Sequence, residues 1–236
     1  MKLRIDAASS IGGRLSQDDC FVIGERPVES PPSHTVPPIF IDTGKNPFLA
    51  AVLDGVGSCA YASLASSMTA AKIQSVFYSK EEGNEQLTAA ERLGSACEQA
   101  CEKLGVLNQS FGSIEAATTI TAAAFSEGQI SLWAVGDSPA YLFRQNRLTP
   151  LFKPMGEGNR LLNFAGADAC PEEFISSTKE LETGDFVILA TDGVLGQKWL
   201  LWALRLGLGV QTIVRLSTLR RFADNSTLIK IEVVEV

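Results

Sequence analysis

Aspartates stand directly beside five apolar runs of this sequence, where their side chains could do chemistry. The five positions are Asp18-Asp19, Asp54-Gly55, Asp137-Ser138, Asp192-Gly193 and Asp224-Asn225. The apolar runs are rich in Val, Ile and Phe, which predicts buried strands. A carboxylate at the end of a core strand is costly unless it is paired or binds a cation. Five such positions therefore predict strand ends that converge on one cation site, and ligands that are all oxygen atoms indicate magnesium or manganese.

A cluster of this kind can hold two divalent cations that share a carboxylate and a hydroxide. The hydroxide is nucleophilic at neutral pH because the metals lower the pKa of water, and phosphate esters are natural substrates because their anionic oxygens also bind metals. Arg14 lies five residues before Asp19 in a glycine-rich turn, and its guanidinium could hold a phosphate in a bidentate contact. Glycines after Asp54 and Asp192 would let a backbone carbonyl approach a cation.

Simpler interpretations exist for each of these residues. A single aspartate at a strand end can be a turn residue, and Asp137 could cap a hairpin. One of Asp18 and Asp19 could be only a solvated neighbour, and Arg14 could be an ordinary surface arginine. The Trp199–Leu201–Trp202 cluster could be an aromatic patch for a partner, although a helix buried on a sheet is the simpler interpretation.

The elements that must position these residues alternate between strands and helices. Strands are predicted over 2–9, 20–24, 48–54, 117–126, 129–136, 140–145, 172–178, 186–191 and 226–235. Helices are predicted over 60–78, over 85–107 with Asn84 as N-cap, and over 197–222 with a break at Gly207 to Gly209. Residues 26–47, which hold six of the ten prolines, and residues 152–170 predict loops. This order favours an α+β sandwich of two sheets with helices outside, in one domain over residues 1–236.

Composition narrows the class of protein further. The net charge is −7, and no Lys/Arg cluster is long enough to follow a phosphate backbone, so nucleic acid is not expected as a partner. The N-terminus lacks the apolar segment of a signal peptide, and residues 199–219 are too interrupted by polar side chains to span a bilayer. Five cysteines without regular spacing indicate a reducing compartment, with Cys97 and Cys101 as core residues. We therefore expect a cytoplasmic monomer without a membrane partner.

The ordered set of motifs resembles the metal-dependent serine/threonine protein phosphatases of type 2C, the PPM family, in their bacterial form. The motifs are Arg14…Asp18-Asp19, Asp54-Gly55, Ala117-Thr118-Thr119, Gly136-Asp137-Ser138, Gly184-Asp185…Thr191-Asp192-Gly193 and Asp224-Asn225. The resemblance covers roughly residues 5–236. It implies a four-layer αββα sandwich, in which two central, mostly antiparallel sheets are flanked by helices and a dinuclear manganese or magnesium site lies at one edge.

The resemblance also implies roles for the ligands of the two main cations. Asp54 matches the carboxylate that bridges both metals, and the carbonyl of Gly55 matches a ligand of the second. Asp192 and Asp224 match ligands of the first metal.

Four further residues match outer positions of the family's site. Asp18 or Asp19 would hold metal-bound water, with Asp19 in the position of the family's aspartate. Asp137 matches the ligand of a weaker third metal found in bacterial members. Arg14 matches the arginine that binds phosphate, so Arg14 and Asp54 are the expected catalytic residues.

The sequence departs from the family pattern at several places. After Asp54 it reads Gly-Val-Gly57-Ser58 where the family has Gly-Met-Gly-Gly or Gly-His-Gly-Gly, and Ala117 replaces the glycine of Gly-Thr-Thr. The only histidine, His34, lies in the proline-rich segment, so a proton for the leaving group must come from metal-bound water or a carboxylate. The loop after residue 150 is short, which predicts a reduced flap over the site.

These observations predict a metal-dependent hydrolase that removes phosphate from phosphoserine and phosphothreonine in signal transduction, using a metal-activated hydroxide. The expected partner is a phosphoprotein, with a Ser/Thr kinase or its target as candidates. Two alternatives stay open. One is a non-catalytic binding module of the same fold, and the other is a phosphatase that acts on a non-protein phosphate ester.

Overall fold

The structure is a computed structural model that describes residues 1–28, 32–44, 46–81, 83–157, 160–161, 163–166, 174–219 and 223–236. The strands are β1 Lys2–Ser10, β2 Asp19–Ile23, β3 Ser33–Asp42, β4 Phe48–Asp54, β5 Ile120–Ser126, β6 Gln129–Val135, β7 Ala140–Arg144, β8 Arg147–Pro150, β9 Gly156–Glu157, β10 Arg160–Leu161, β11 Ile175–Glu180, β12 Phe186–Ala190 and β13 Ser226–Glu235. The helices are α1 Ala62–Phe77, α2 Ala89–Phe111, α3 Gln197–Arg205 and α4 Val210–Ser217. Parts of the segments predicted at 26–47, 152–170, 172–178 and 197–222 lie outside the described residues.

Two antiparallel sheets stack face to face. One has the strand order β3-β1-β13-β12-β7-β8 and the other β11-β6-β5-β4-β2. Alternate apolar residues of both sheets, among them Ile5, Val52, Phe125 and Ile231, are buried between them. This is the core of a sandwich, because each strand buries one face against the other sheet.

The outer faces of both sheets are covered by helices. Helices α1 and α2 pack on the five-stranded sheet, and Cys97 and Cys101 are buried there, as the sequence predicts. Helices α3 and α4 pack on the six-stranded sheet through Leu200, Ala203 and Ile213. The four-layer αββα sandwich is therefore confirmed.

The loop predicted over residues 26–47 is wrong in its second half, because β3 forms there. Two features let a strand accept its prolines. β3 is the edge strand of the six-stranded sheet, so only one side of it must donate hydrogen bonds. Pro37 and Pro38 also stand opposite Asp6, where the register between β1 and β3 shifts, so they occupy a bulge.

The start predicted for the second helix is also wrong. Asn84 belongs to a 3-10 turn, Asn84–Gln86, and α2 begins after Thr88. The Thr88 hydroxyl accepts a hydrogen bond from the backbone N–H of Glu91, and the Glu91 carboxylate accepts one from the backbone N–H of Thr88. This capping box satisfies two backbone donors at once, which Asn84 could not do from its position.

Strand pairing brings the aspartates to one edge of the sandwich. In the five-stranded sheet β2 and β4 are antiparallel with Asp19 opposite Asp54, so the start of one strand meets the end of the other. In the six-stranded sheet Ala190 pairs with Leu228, which places Asp192 beside Asp224 in the same way. The tight turns predicted after β5 and β7 form with positive φ at both central residues, as type I′ hairpins require.

Candidate active site

A cavity of about 600 Å³ opens at the edge where these strand ends meet. Seven residues predicted from the sequence line it: Arg14, Asp18, Asp54, Gly55, Asp137, Asp192 and Asp224. Asp19 is different, since its side chain is buried with 1% exposed. The structure thus brings together residues that are more than 200 positions apart in the chain.

The backbone of Asp54 is fixed by the next strand of its sheet. Its N–H donates to Thr119 Oγ1 at 3.0 Å, and its carbonyl accepts from the Thr119 N–H at 2.8 Å and from Thr118 Oγ1 at 2.9 Å. Thr119 Oγ1 lies 2.7 Å from Ser138 Oγ, in the residue after Asp137. The two hydroxyls therefore connect the segments that carry Asp54 and Asp137.

Asp19 and Asp18 have separate environments although they are neighbours. One carboxylate oxygen of Asp19 accepts hydrogen bonds from Thr191 Oγ1 at 2.9 Å and Thr227 Oγ1 at 2.7 Å. Asp19 thereby joins the ends of β12 and β13 beneath the cavity. Asp18 lines the cavity itself, and its backbone N–H donates to Asn225 Oδ1 at 2.7 Å.

The turn that carries Arg14 is held against the start of β13. The Asn225 amide donates to the carbonyl of Ile11 at 2.9 Å and to that of Ser16 at 3.0 Å. Gly12 has a φ of +63°, and a Cβ there would lie 2.3 Å from the carbonyl oxygen of Asp224, so the close approach requires glycine. The Arg14 guanidinium forms an ion pair with the Asp224 carboxylate.

Burial and mutual repulsion dominate the electrostatics of the cavity. Burial, followed by the charges of Asp19 and Asp192, raises the pKa of Asp54 well above its ordinary value. Burial also raises the pKa of Asp192, against an opposing hydrogen bond from the Asp54 carboxyl. Burial and then the charge of Asp192 raise the pKa of Asp137. Without a cation, the raised pKa of Asp54 favours its protonated form, which can donate a hydrogen bond to the Asp192 carboxylate.

The buried Asp19 follows the same pattern. Burial, opposed by the two threonine hydroxyls and reinforced by the charges of Asp192 and Asp224, raises the pKa of Asp19 to about 7. Among the described residues that line the cavity, Arg14 is the only one with a positive charge. The carboxylates therefore carry more negative charge than the protein compensates.

This donor set fits a hard divalent cation in its chemistry. Carboxylate oxygens and a backbone carbonyl are the ligands that magnesium and manganese prefer. In the part of the chain that the structure describes, however, no three acidic, histidine or cysteine side chains already form a group that would hold a metal ion. Two contacts use the oxygens that a cation would need, namely the Arg14–Asp224 ion pair and the hydrogen bond between the Asp54 and Asp192 carboxyl groups.

Four polar side chains hold the site in place, and the sequence motifs gave none of them that role. Each of them forms a hydrogen bond to Asp19 or to a segment that carries an aspartate of the cavity, and a strand pattern does not reveal such contacts. They are Thr191, Thr227, Ser138 and Asn225. Their position could have indicated this role, because each lies within three residues of a predicted site aspartate.

Three findings come from the likeness of this chain to known proteins. The family profile described as Protein phosphatase 2C matches residues 38–221. No curated protein sequence matches the chain. Solved structures do match it over its length. The catalytic domain of the serine/threonine protein phosphatase PstP, in complex with two manganese ions, is 20% identical with a TM-score of 0.75, and the match covers 100% of each chain.

Two further structures agree. Mycobacterium tuberculosis PstP/Ppp is 20% identical with a TM-score of 0.76 and 100% of each chain covered. The serine/threonine phosphatase of S. agalactiae is 20% identical with a TM-score of 0.77, with 98% of this chain and 99% of that chain covered. These likenesses establish the fold, and the family profile spans well over half of the sequence. The chain therefore belongs to the protein phosphatase 2C family, the metal-dependent serine/threonine protein phosphatases.

Proposed function

We propose that the cavity at the sandwich edge hydrolyses phosphoserine and phosphothreonine monoesters on proteins with two divalent cations, manganese or magnesium. The observation that carries this proposal is the convergence of five aspartates and one arginine on one cavity. Asp54, the Gly55 carbonyl, Asp192 and Asp224 would be the ligands of these two ions. Asp18 and Asp19 would order the surrounding water. Asp137 would bind a third, weaker ion.

The residues of the chain then divide the chemistry between them. The bound cations supply a nucleophile from water at neutral pH and attract the phosphate oxygens. Arg14 lies at the cavity, where a phosphate dianion can compete with Asp224 for its guanidinium in a charge-assisted contact. Asp19 positions the ends of β12 and β13 from below through its two threonine contacts.

The leaving group needs a proton that no histidine can provide. Among the described residues, no histidine lines the cavity. We infer that the proton comes from a carboxyl group of the cavity or from water. While no third ion is bound, Asp137 can supply it, because Asp137 lines the cavity and burial raises its pKa, which favours the protonated form.

We propose a single phosphatase domain over residues 1–236 that acts as a cytoplasmic monomer in signal transduction. Its partner would be a phosphoprotein, with a Ser/Thr kinase or its target as candidates. The buried Cys97 and Cys101 support a reducing compartment. In the described residues no helix is long and apolar enough to cross a membrane.

The test is hydrolysis of p-nitrophenyl phosphate and of a phosphothreonine peptide, with manganese, with magnesium and in EDTA. We expect turnover of both substrates that depends on metal. Turnover that survives complete metal removal would contradict the proposal. Metal binding without turnover would favour the binding module, and turnover of the small ester without the peptide would favour a non-protein substrate.

A further inference from the structure

Helix α3 exposes large apolar side chains to solvent. Trp199, Trp202 and Leu206 are 61%, 52% and 56% exposed, and their spacing of three and four residues places them on one face. The opposite face buries Leu200 and Ala203 on the six-stranded sheet. The helix therefore packs on the sheet, as the simpler interpretation expects, but Trp199 and Trp202 lie on its exposed face.

The two indoles contact each other rather than the core. Their rings meet edge to face with centroids 6.3 Å apart. Exposed apolar side chains of this size, grouped on one helix face, mark interaction sites more often than isolated ones do. Both indoles are more than half exposed, so most of their apolar surface is available to a partner.

The segment that contains α3 carries a net charge opposite in sign to that of the rest of the chain. Between Asp192 and Asp224 the sequence contains no acidic residue, whereas it contains five basic ones: Lys198, Arg205, Arg215, Arg220 and Arg221. The segment therefore carries +5. Because the whole chain carries −7, the remainder carries −12. The segment that contains α3 and α4 is therefore basic within an acidic chain, and basic segments attract anionic partners.

Two of these cations lie beside the exposed indoles. Lys198 is four residues before Trp202 and Arg205 is three residues after it, so helical spacing places both next to that ring. Lys198 is exposed, and Arg205 donates hydrogen bonds to the carbonyl of Asn146 at 3.1 and 2.8 Å while its side chain stays exposed. We call Lys198, Trp199, Trp202, Arg205 and Leu206 the α3 surface.

We propose that the α3 surface adsorbs to an anionic lipid bilayer, which gives the protein a membrane partner that its composition did not lead us to expect. Helices that lie in a membrane interface combine Trp and Leu on one side with Lys and Arg beside them, and α3 has this combination. Basic residues are attracted to anionic lipids, while indole rings favour the headgroup region. At nine residues α3 is too short to span a bilayer, so it would lie on the surface.

Other occupants fit the observations less well. A second copy that docked through the same surface would bring Lys198 and Arg205 against their own counterparts, which is repulsive. Nucleic acid could stack on the indoles but offers nothing to Leu206, whereas lipid chains accommodate all three apolar side chains. None of the described residues that line the aspartate cavity belongs to the α3 surface.

The full chain can be tested by co-sedimentation with vesicles. We expect it to sediment with phosphatidylcholine vesicles that contain phosphatidylglycerol and to remain in solution with phosphatidylcholine alone or at high salt. Trp199 and Trp202 would report binding by a blue shift of their fluorescence, because the third tryptophan, Trp133, is 1% exposed and would not change.

Substitutions separate the apolar and the charged parts. The double variant Trp199→Ala/Trp202→Ala should lower the partition coefficient by roughly tenfold or more, because two large apolar surfaces no longer enter the interface. Lys198→Gln should lower it by about fivefold. The matched controls are Phe40→Ala, whose ring is 71% exposed on β3, and Lys103→Gln on α2, and both should bind as the parent does.

Four outcomes would overturn the proposal. The first is that the protein does not bind anionic vesicles, and the second is that the double tryptophan variant binds them as well as the parent does. The third is that the protein binds polyglutamate or an oligonucleotide but not vesicles. The fourth is that sedimentation equilibrium shows a dimer that the double variant abolishes. The third outcome would assign the surface to an acidic protein or to nucleic acid, and the fourth to a second copy. Turnover of p-nitrophenyl phosphate should be the same in all variants, which shows that they fold.

Discussion

Arg14 and Asp224 form an ion pair that joins the turn after β1 to the start of β13, 210 positions later. Both side chains are about half exposed at the mouth of the aspartate cavity, so the pair is accessible to ions and substrate. Asp224 is a predicted metal ligand and Arg14 a predicted phosphate ligand. Arg14 therefore competes with a metal ion for Asp224, and Asp224 competes with phosphate for Arg14. Removing Arg14 separates the two roles.

Arg14→Ala should weaken the binding of inorganic phosphate and of substrate by roughly 10- to 100-fold, because a charge-assisted contact is typically worth ~1.5–3 kcal/mol. Manganese affinity should stay the same or rise, because Asp224 no longer has a competing cation. Calorimetric titrations with manganese and with phosphate measure the two effects separately. Arg147→Ala, an exposed arginine on β8, is the control. Unchanged phosphate binding in Arg14→Ala would remove Arg14 from the site.

Asp192→Asn should abolish metal-dependent turnover while it stabilises the metal-free protein. The substitution keeps the shape of the side chain and removes a negative charge that repels Asp54, Asp137 and Asp224. A gain of about 1 kcal/mol would raise the melting temperature in EDTA by roughly 2–4 °C for a chain of this size. Differential scanning calorimetry in EDTA and in manganese checks this. Near-normal turnover at saturating manganese would exclude Asp192 as a ligand.

The stability of the metal-free protein should fall as the pH rises from about 4 to about 7. The pKa of Asp19 is about 7 in the folded protein and about 3.9 in an unfolded chain. A pKa raised by folding means that the native state binds more protons in this range, so the contribution of Asp19 to stability is complete below pH 4 and is lost as the pH rises through 7. Asp54, Asp137 and Asp192 act in the same direction.

Urea unfolding in EDTA at a series of pH values measures this slope. Manganese should flatten it, because a bound cation compensates the carboxylates. Asp19→Asn should flatten it partly, since one of the groups no longer titrates. Stability that rises between pH 4 and 7 in EDTA would show that these carboxylates are not repelled in the folded protein.

Local patterns in the sequence were sufficient to predict most strands and the aspartates that meet at one cavity, while the roles of these aspartates as ligands stay predictions. Asp54 and Asp192 each end an apolar run, and both the run and its end are visible in a few residues. The choice between Asp18 and Asp19 was not visible. It depends on the register of β2 against β4, because successive side chains of a strand point to opposite faces. Register is set by the partner strand and not by the strand alone.

Tertiary context also explains the errors in the fold. The prolines of β3 indicate a loop until its edge position and its bulge are known. The helix that carries Trp199 and Trp202 does pack on the sheet, but the sequence did not show that Leu200 and Ala203, rather than the two tryptophans, face it. The capping box at Thr88 and Glu91 was within reach of the sequence, since it is a local motif.

Gly193→Ala should disrupt the site without an electrostatic change. A Cβ at Gly193 would lie 1.8 Å from the carbonyl oxygen of Asn225, so the start of β13 must move. Asn225 holds the turn of Arg14 through Ile11 and Ser16, and that turn would move with it. We expect a loss of stability of roughly 1–3 kcal/mol, as overpacking typically causes, and a loss of turnover at temperatures where the variant is still folded.

Gly94→Ala is the matched control, because a Cβ at this interior position of α2 meets nothing within 4 Å. Alanine there should raise the free energy of unfolding by about 1 kcal/mol through helix propensity and leave turnover unchanged. Urea unfolding and p-nitrophenyl phosphate kinetics on both variants make the comparison. If Gly193→Ala kept full turnover and stability, the turn after Asp192 could not be packed against Asn225. The link between the ends of β12 and β13 and the Arg14 turn would then have to be abandoned.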